Sequence, residues 1–66
     1  MYRDDSSYHS TAGYVHVGAL AFTLFEIWDG VDRLERRGIS LDAIAGALAA
    51  DWETSVVALA RIGRQR

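Results

Sequence analysis

A run of five large apolar residues at heptad spacing constrains the fold of this chain more than any other feature. The run advances in steps of four, three, four and three residues: Leu20, Leu24, Ile27, Val31 and Leu34. Such spacing places the side chains in one stripe along an α-helix. The pattern predicts a single helix of about five turns from Ala19 to Arg37. Its apolar stripe is widened by Ala21, Phe25 and Trp28.

The predicted helix has a well-specified end and an ambiguous start. Gly38 can adopt the left-handed conformation that ends a helix, and Ile39 can then pack back on Leu34, as in a Schellman motif. The segment from Ala21 to Trp28, however, is rich in aromatic and branched residues, and Asp29-Gly30 is also a hairpin-turn dipeptide. A second strand is therefore an alternative to the first turns of the helix.

Two shorter helices are predicted to follow, each with a capping side chain at its start. Ser40 caps the first helix, whose inner face holds Leu41, Ile44, Ala45 and Leu48. Asp51 caps the second helix, which runs from Trp52 to about Ile62 and stops at Gly63. The inner face of this last helix holds Trp52, Val56, Leu59 and Ala60. Short turns between the three helices predict a bundle.

The chain before the first helix divides into a polar arm and a short strand. Residues 1–12 are polar and show no apolar period, which predicts an N-terminal arm. Between Gly13 and Gly18, two valines alternate with Tyr14 and His16, as in a strand. The sequence offers no other convincing strand, so a symmetry-related copy is the expected partner. Residues 13–66 are thus predicted as a single small, mainly α domain, with a short N-terminal strand or arm before a three-helix bundle.

The small size of the chain makes a second copy the expected source of added stability. A chain of 66 residues buries a modest share of its surface, and without cysteine it has neither a disulfide nor a thiolate zinc site. Its aromatic residues also offer more apolar surface than such a unit covers. We therefore expect a homodimer whose interface contains Leu20, Leu24, Phe25, Ile27, Trp28 and Val31. The alternative is that Trp52 and the second helix cover this stripe within one chain.

The helical hairpin from Leu41 to Ile62 has the spacing of a helix-turn-helix. Its small residue Ala45 lets the second helix cross the first at a steep angle. If the hairpin reads DNA, the residues nearest the bases are Thr54, Ser55 and Val57, and those that contact phosphates are Arg61, Arg64 and Arg66. The net charge of −2 and the pI of about 5.5 disfavour non-specific nucleic-acid binding. The other interpretation of the hairpin is a packing unit that binds no DNA.

Three stretches carry a family resemblance: Ile27 to Leu34, Gly38 to Ala45 and Val56 to Ala60. Together they resemble small bacterial antitoxin-like helix-turn-helix domains, in which a strand and a helix precede a hairpin that begins with Gly-x-Ser. The resemblance implies a dimer that binds operator DNA and a partner toxin. The chain also resembles the ribbon-helix-helix antitoxins, with Tyr14 to Gly18 as the ribbon and Gly38-Ile39-Ser40 as the turn.

The sequence offers little that supports catalysis. His9 and His16 are its two histidines, and no carboxylate stands at metal-ligand spacing from them. It contains neither a Gly-x-Ser-x-Gly nucleophile elbow nor a glycine-rich phosphate-binding loop. We therefore expect no enzyme activity, no metal, no cofactor and no small-molecule ligand.

The expected function is that of a small homodimeric regulator, antitoxin-like or transcriptional, that binds DNA or protein. The alternative is an interaction or assembly subunit that binds no DNA, such as a phage structural or inhibitory protein. A toxin or an assembly component is the expected protein partner. The most apolar stretch, from Val15 to Trp28, is too short and too polar for a membrane span, and Met1 is not followed by a signal-peptide pattern. These features predict a cytoplasmic protein.

Overall fold

The computed structural model describes residues 13–65 as a β-hairpin followed by three α-helices. The elements are β1 (Tyr14–Val17), β2 (Leu20–Thr23), α1 (Leu24–Arg36), α2 (Leu41–Ala50) and α3 (Trp52–Arg64). The predicted N-terminal arm, residues 1–12, and Arg66 lie outside the described part of the chain. The fold is mainly helical, as predicted. Within residues 13–65, no helix has both the length and the apolar character needed to cross a membrane.

The first turns of the predicted long helix are a strand, which corrects the prediction of one helix from Ala19 to Arg37. Gly18 has a φ of 61°, and with Ala19 it forms a two-residue turn that folds β2 back onto β1. Glycine at the first central position is typical of a type II′ hairpin turn. The strand that pairs with β1 therefore belongs to the same chain, and the prediction that a second copy must supply it is wrong.

Thr23 marks the boundary between β2 and α1. Its hydroxyl accepts a hydrogen bond from the backbone N–H of Glu26 at 3.1 Å, and the Glu26 carboxylate accepts one from the backbone N–H of Thr23 at 2.8 Å. These two hydrogen bonds form a capping box, which stabilises the start of a helix. A step of four residues from Leu20 to Leu24 suits both a strand and a helix, so the heptad pattern alone did not reveal this boundary.

The end of α1 follows the prediction. Gly38 has a φ of 93°, its N–H donates to the carbonyl of Glu35 at 2.9 Å, and the N–H of Ile39 donates to the carbonyl of Leu34 at 3.0 Å. This pair of hydrogen bonds is a Schellman motif. The predicted caps are also present: Ser40 Oγ accepts from the N–H of Ala43, and Asp51 Oδ1 accepts from the N–H of Thr54, both at 3.1 Å.

Helices α1 and α3 cross with backbone contact at two glycines. A Cβ atom on Gly30 would overlap the backbone carbonyl of Leu59, and one on Gly63 would overlap the carbonyl of Glu26. Glycine allows this close approach because it has no side chain. The prediction that Gly63 stops the last helix is wrong, since α3 continues to Arg64 and Gly63 serves as a contact point within it.

The main cluster of the core lies between the three helices, and Val17 and Phe22 of the β-hairpin are buried as well. The main cluster is built on Val31, Ile44 and Leu59, and Ile27, Leu34 and Leu48 pack against it. On α3, Val56 is 1% exposed and Ala60 is 0% exposed, as the predicted inner face requires. Trp52 departs from the prediction of an inward position, because its side chain is 56% exposed.

Candidate interaction site

An apolar groove of about 360 Å³ lies between α1 and the hairpin of α2 and α3. All of its lining residues are hydrophobic, and they include Val15 of β1. Buried core residues form its floor, among them Val31, Ile44 and Leu59. Its exposed lining residues are Leu24 and Trp28 on α1 and Leu41, Ala45 and Trp52 on the helical hairpin. The groove is therefore an opening onto the core rather than a polar binding pocket.

Two tryptophans that line this groove, and Phe25 one helical turn before Trp28, leave a large apolar surface in water. Phe25 is 83% exposed, Trp28 is 65% exposed and Trp52 is 56% exposed. Since an aromatic side chain has about 200 Å² of surface to bury, these three residues together expose roughly 400 Å². We call this surface the apolar face, and it consists of Leu24, Phe25, Trp28, Leu41 and Trp52. An exposed apolar patch of several hundred Å² is typical of an interaction site.

The structure divides the six predicted dimer-interface residues among three environments. Leu24, Phe25 and Trp28 belong to the apolar face. Ile27 is half-buried against the core, and Val31 is part of the core at 8% exposure. Leu20 lies on β2 and lines a different groove. The predicted stripe is therefore partly exposed and partly covered within the chain, by Ile44 of α2 and Leu59 of α3, whereas Trp52, which the alternative interpretation placed over it, is exposed.

The predicted DNA-reading residues lie along α3 at different degrees of exposure. Thr54 and Arg61 are exposed, and together with the half-buried Val57 they line an open groove of about 490 Å³. The hairpin turn, residues 17–20, forms the opposite wall of that groove. Ser55 is half-buried, and its hydroxyl donates to the carbonyl of Ala47 at 3.0 Å. The exposed acid Glu53 borders the same groove.

Arg64, a predicted phosphate contact, binds residues of its own chain. Its Nε and Nη2 donate to the carboxylate of Glu26, and the Nη2 to Oε1 distance is 3.3 Å. Nη2 also lies 3.4 Å from the carbonyl oxygen of Ala21. The guanidinium carbon lies 4.7 Å from the centre of the Phe22 ring, a cation–π contact. Arg64 thus joins the end of α3 to the β-hairpin and to the start of α1.

These contacts change the ionisation of Glu26. Hydrogen bonding from Arg64, together with the backbone N–H of Thr23, lowers the pKa of Glu26 to about 2. The same contact raises the pKa of the Arg64 guanidinium. Glu26 is therefore ionised across the ordinary pH range, and its charge serves both the helix cap and the contact with α3. The sequence reasoning missed this cap, although Thr-x-x-Glu from Thr23 to Glu26 is a capping-box signal.

The part of the chain that the structure describes brings together no cluster of three or more His, Cys, Asp or Glu side chains that could hold a metal ion. His16 is exposed on β1, and His9 lies outside the described residues. Comparison with protein-family models, with curated proteins and with solved structures finds no match for this chain. The fold and the site define a small, mainly helical protein whose described residues include an exposed apolar face beside a groove.

Proposed function

We propose that this chain is a small interaction module, antitoxin-like or transcription-regulatory, that forms a homodimer through its apolar face and binds a further protein as that dimer. The observation that carries the proposal is the exposure of Trp28 and Trp52 beside a groove floored by the core. Exposed tryptophans next to a pocket are the side chains that most often dominate the energy of a protein interface. The partner of such a module is a toxin or an assembly component, and the proposed location is the cytoplasm.

The size of the apolar face supports a stable interface. A standard protein interface buries about 800 Å² on each partner. The roughly 400 Å² exposed by the three aromatic residues is about half of that area, and Leu24 and Leu41 extend it at 38% and 53% exposure. A second chain placed on this face removes apolar surface from water, which is the main favourable contribution to association.

Sedimentation equilibrium tests the dimer. The wild-type chain should show the mass of two chains at micromolar concentration, and Trp28→Glu should show the mass of one, because the charge would have to be buried in the interface. Ile39→Glu is the matched control, since Ile39 is 41% exposed but lines a different cavity. A wild-type monomer at high micromolar concentration, or a Trp28→Glu dimer as tight as the wild type, contradicts the proposal.

Operator DNA is a second candidate ligand, favoured by the hairpin of α2 and α3. Thr54 and Arg61 are exposed on α3, where a helix-turn-helix presents base and phosphate contacts. In this candidate function Val57 adds to the base-reading surface and Arg66 adds a phosphate contact. Ser55 and Arg64, which the sequence also suggested, are held by hydrogen bonds to Ala47 and Glu26 and would have to leave them to contact DNA.

Titration with DNA over a range of salt concentrations tests this second candidate. Affinity that falls steeply as salt rises supports it, and Arg61→Gln should then reduce the salt dependence by about one phosphate contact. No binding at low salt excludes DNA and favours the interaction or assembly subunit. The measurement does not involve Trp28, so its result is independent of the dimer test.

A further inference from the structure

The two strands of the hairpin differ in what their outer edges contact. The carbonyl of Gly13 accepts a hydrogen bond from the N–H of Leu24 at 2.9 Å, which continues the antiparallel ladder by one pair. Backbone groups alternate in direction along a strand, so Val15 also directs its N–H and C=O toward β2. Tyr14 and His16 have the opposite phase. Their backbone N–H and C=O groups therefore point away from β2, along the outer edge of β1.

Within residues 13–65, the outer edge of β2 is covered, whereas that of β1 is not. Ala21 pairs opposite His16, and its outward carbonyl accepts from Arg64, whose guanidinium also lies over Phe22. On β1, no residue within 13–65 bonds to the outward backbone groups of Tyr14 or His16. The sequence of β1 contains neither proline nor lysine, the residues that commonly block edge pairing. Among the described residues nothing prevents the outer edge of β1 from accepting another strand.

We propose that β1 of a second copy pairs with this edge in antiparallel orientation, so that the dimer contains one four-stranded sheet. The two-fold axis passes beside Val15, and Tyr14 of each copy exchanges backbone hydrogen bonds with His16 of the other. This arrangement rests on the proposed homodimer and specifies where its two chains meet.

A second copy fits this edge because the edge adjoins the apolar face. Val15 lines the apolar groove together with Leu24 and Trp28, so the strand edge and the groove form one continuous surface. A four-residue strand alone buries far less than the roughly 800 Å² per partner of a stable interface. A second copy brings its own Val15 and its own apolar face to the same place. The strand carries no Asp, Glu, Lys or Arg that would repel an identical strand.

Two proline variants test the pairing by sedimentation. His16→Pro removes an N–H that points out of the β1 edge and leaves the bonds between β1 and β2 intact. Ala21→Pro removes the equivalent outward N–H of β2 and is the matched control. We expect at least a tenfold weaker dimer for His16→Pro and an unchanged dimer for Ala21→Pro. A His16→Pro dimer as tight as the wild type overturns edge pairing.

A cysteine variant gives an independent result if His16→Pro fails to fold. The chain contains no cysteine, so Val15→Cys introduces a single thiol. Residues paired across the axis without mutual hydrogen bonds have Cα atoms about 4.5 Å apart, within the range of about 4.4–6.8 Å that a disulfide requires. Mild oxidation should convert most of Val15→Cys, but little of Ala21→Cys, into a covalent dimer. Equal crosslinking of the two variants overturns the proposal.

The two proposals fail in distinguishable ways. If Trp28→Glu dissociates the dimer while His16→Pro and Val15→Cys show no strand pairing, the proposed function stands and the edge pairing is excluded. A monomeric wild type contradicts the homodimer itself. A monomer with slowly exchanging Tyr14 and His16 amides shows that another part of the same chain covers the edge, and it overturns the inference.

Discussion

The guanidinium of Arg64 binds the same Glu26 carboxylate that accepts a hydrogen bond from the Thr23 backbone. The Glu26 side chain therefore caps α1 directly after the β-hairpin and also holds the last turn of α3. The local signal that starts a helix is coupled in this way to a tertiary contact near the other end of the chain. Substitution of Thr23, Glu26 or Arg64 is therefore expected to weaken both the cap of α1 and the contact between α1 and α3.

The low pKa of Glu26 predicts that the free energy of unfolding decreases at acidic pH. Because folding lowers this pKa from 4.5 to about 2, the unfolded chain binds the proton more readily. The contribution of Glu26 is therefore complete well above pH 4.5 and is lost as the pH falls toward 2. Urea unfolding measured between pH 7 and pH 2 should show this loss. Glu26→Gln should flatten the profile in that window, whereas Glu35→Gln, at an exposed position of the same helix, should leave it in place.

Arg64 and Arg61 are expected to have different roles although both lie near the end of α3. Arg64→Gln removes the contacts with Glu26 and Phe22, so it should lower the urea midpoint. Arg61→Gln should leave the midpoint unchanged, because the side chain of Arg61 is exposed beside an open groove. Equal midpoints for the two variants would show that the Arg64 contacts do not stabilise the fold.

Replacement of glycine by alanine is expected to lower the free energy of unfolding at the crossing of α1 and α3 but to raise it in α2. Gly30→Ala and Gly63→Ala place a methyl group on a backbone carbonyl, and each should cost about 1–3 kcal/mol as the helices separate. Gly46→Ala should instead stabilise the chain by about 0.5–1 kcal/mol, because open space surrounds Gly46 in the middle of α2. Chemical denaturation of the three variants gives these differences directly. Destabilisation by Gly46→Ala would contradict the packing described for α2.

Asp51 is the single residue between α2 and α3, and it caps α3. Asp51→Ala should cost about 1 kcal/mol, because the N–H of Thr54 loses its partner. Asp51→Asn should recover most of this loss, since asparagine caps helices about as well as aspartate. Thermal unfolding compares the variants, and an equal loss for both would show that the charge matters rather than the cap.

The features that the sequence predicts well are those that depend on neighbouring residues. Gly38, Ser40 and Asp51 act within a few positions of themselves, and the structure confirms all three. The boundary at Thr23 was missed because Leu20 and Leu24 satisfy the strand and the helix period alike. The competing strand interpretation covered Ala21 to Trp28, and the true boundary divides that segment.

The candidate site was predictable only in part, because its geometry comes from the helix crossing. The surplus of aromatic surface on Phe25 and Trp28 followed from composition and spacing. The exposure of Trp52 did not, since the apolar period of α3 places this residue on the inner face, whereas its side chain is 56% exposed. Contacts between residues far apart in the chain leave no local pattern to read.

The crossing at Gly30 and Gly63 also constrains how the sequence can diverge. Apolar core positions tolerate exchange among leucine, isoleucine and methionine when volume is kept, whereas the backbone contacts at these two positions leave no room for any side chain. A distant sequence that shares this fold should therefore be recognisable by a pair of glycines at the equivalent positions of its first and last helices. The pair offers a search criterion that survives after the apolar pattern has drifted.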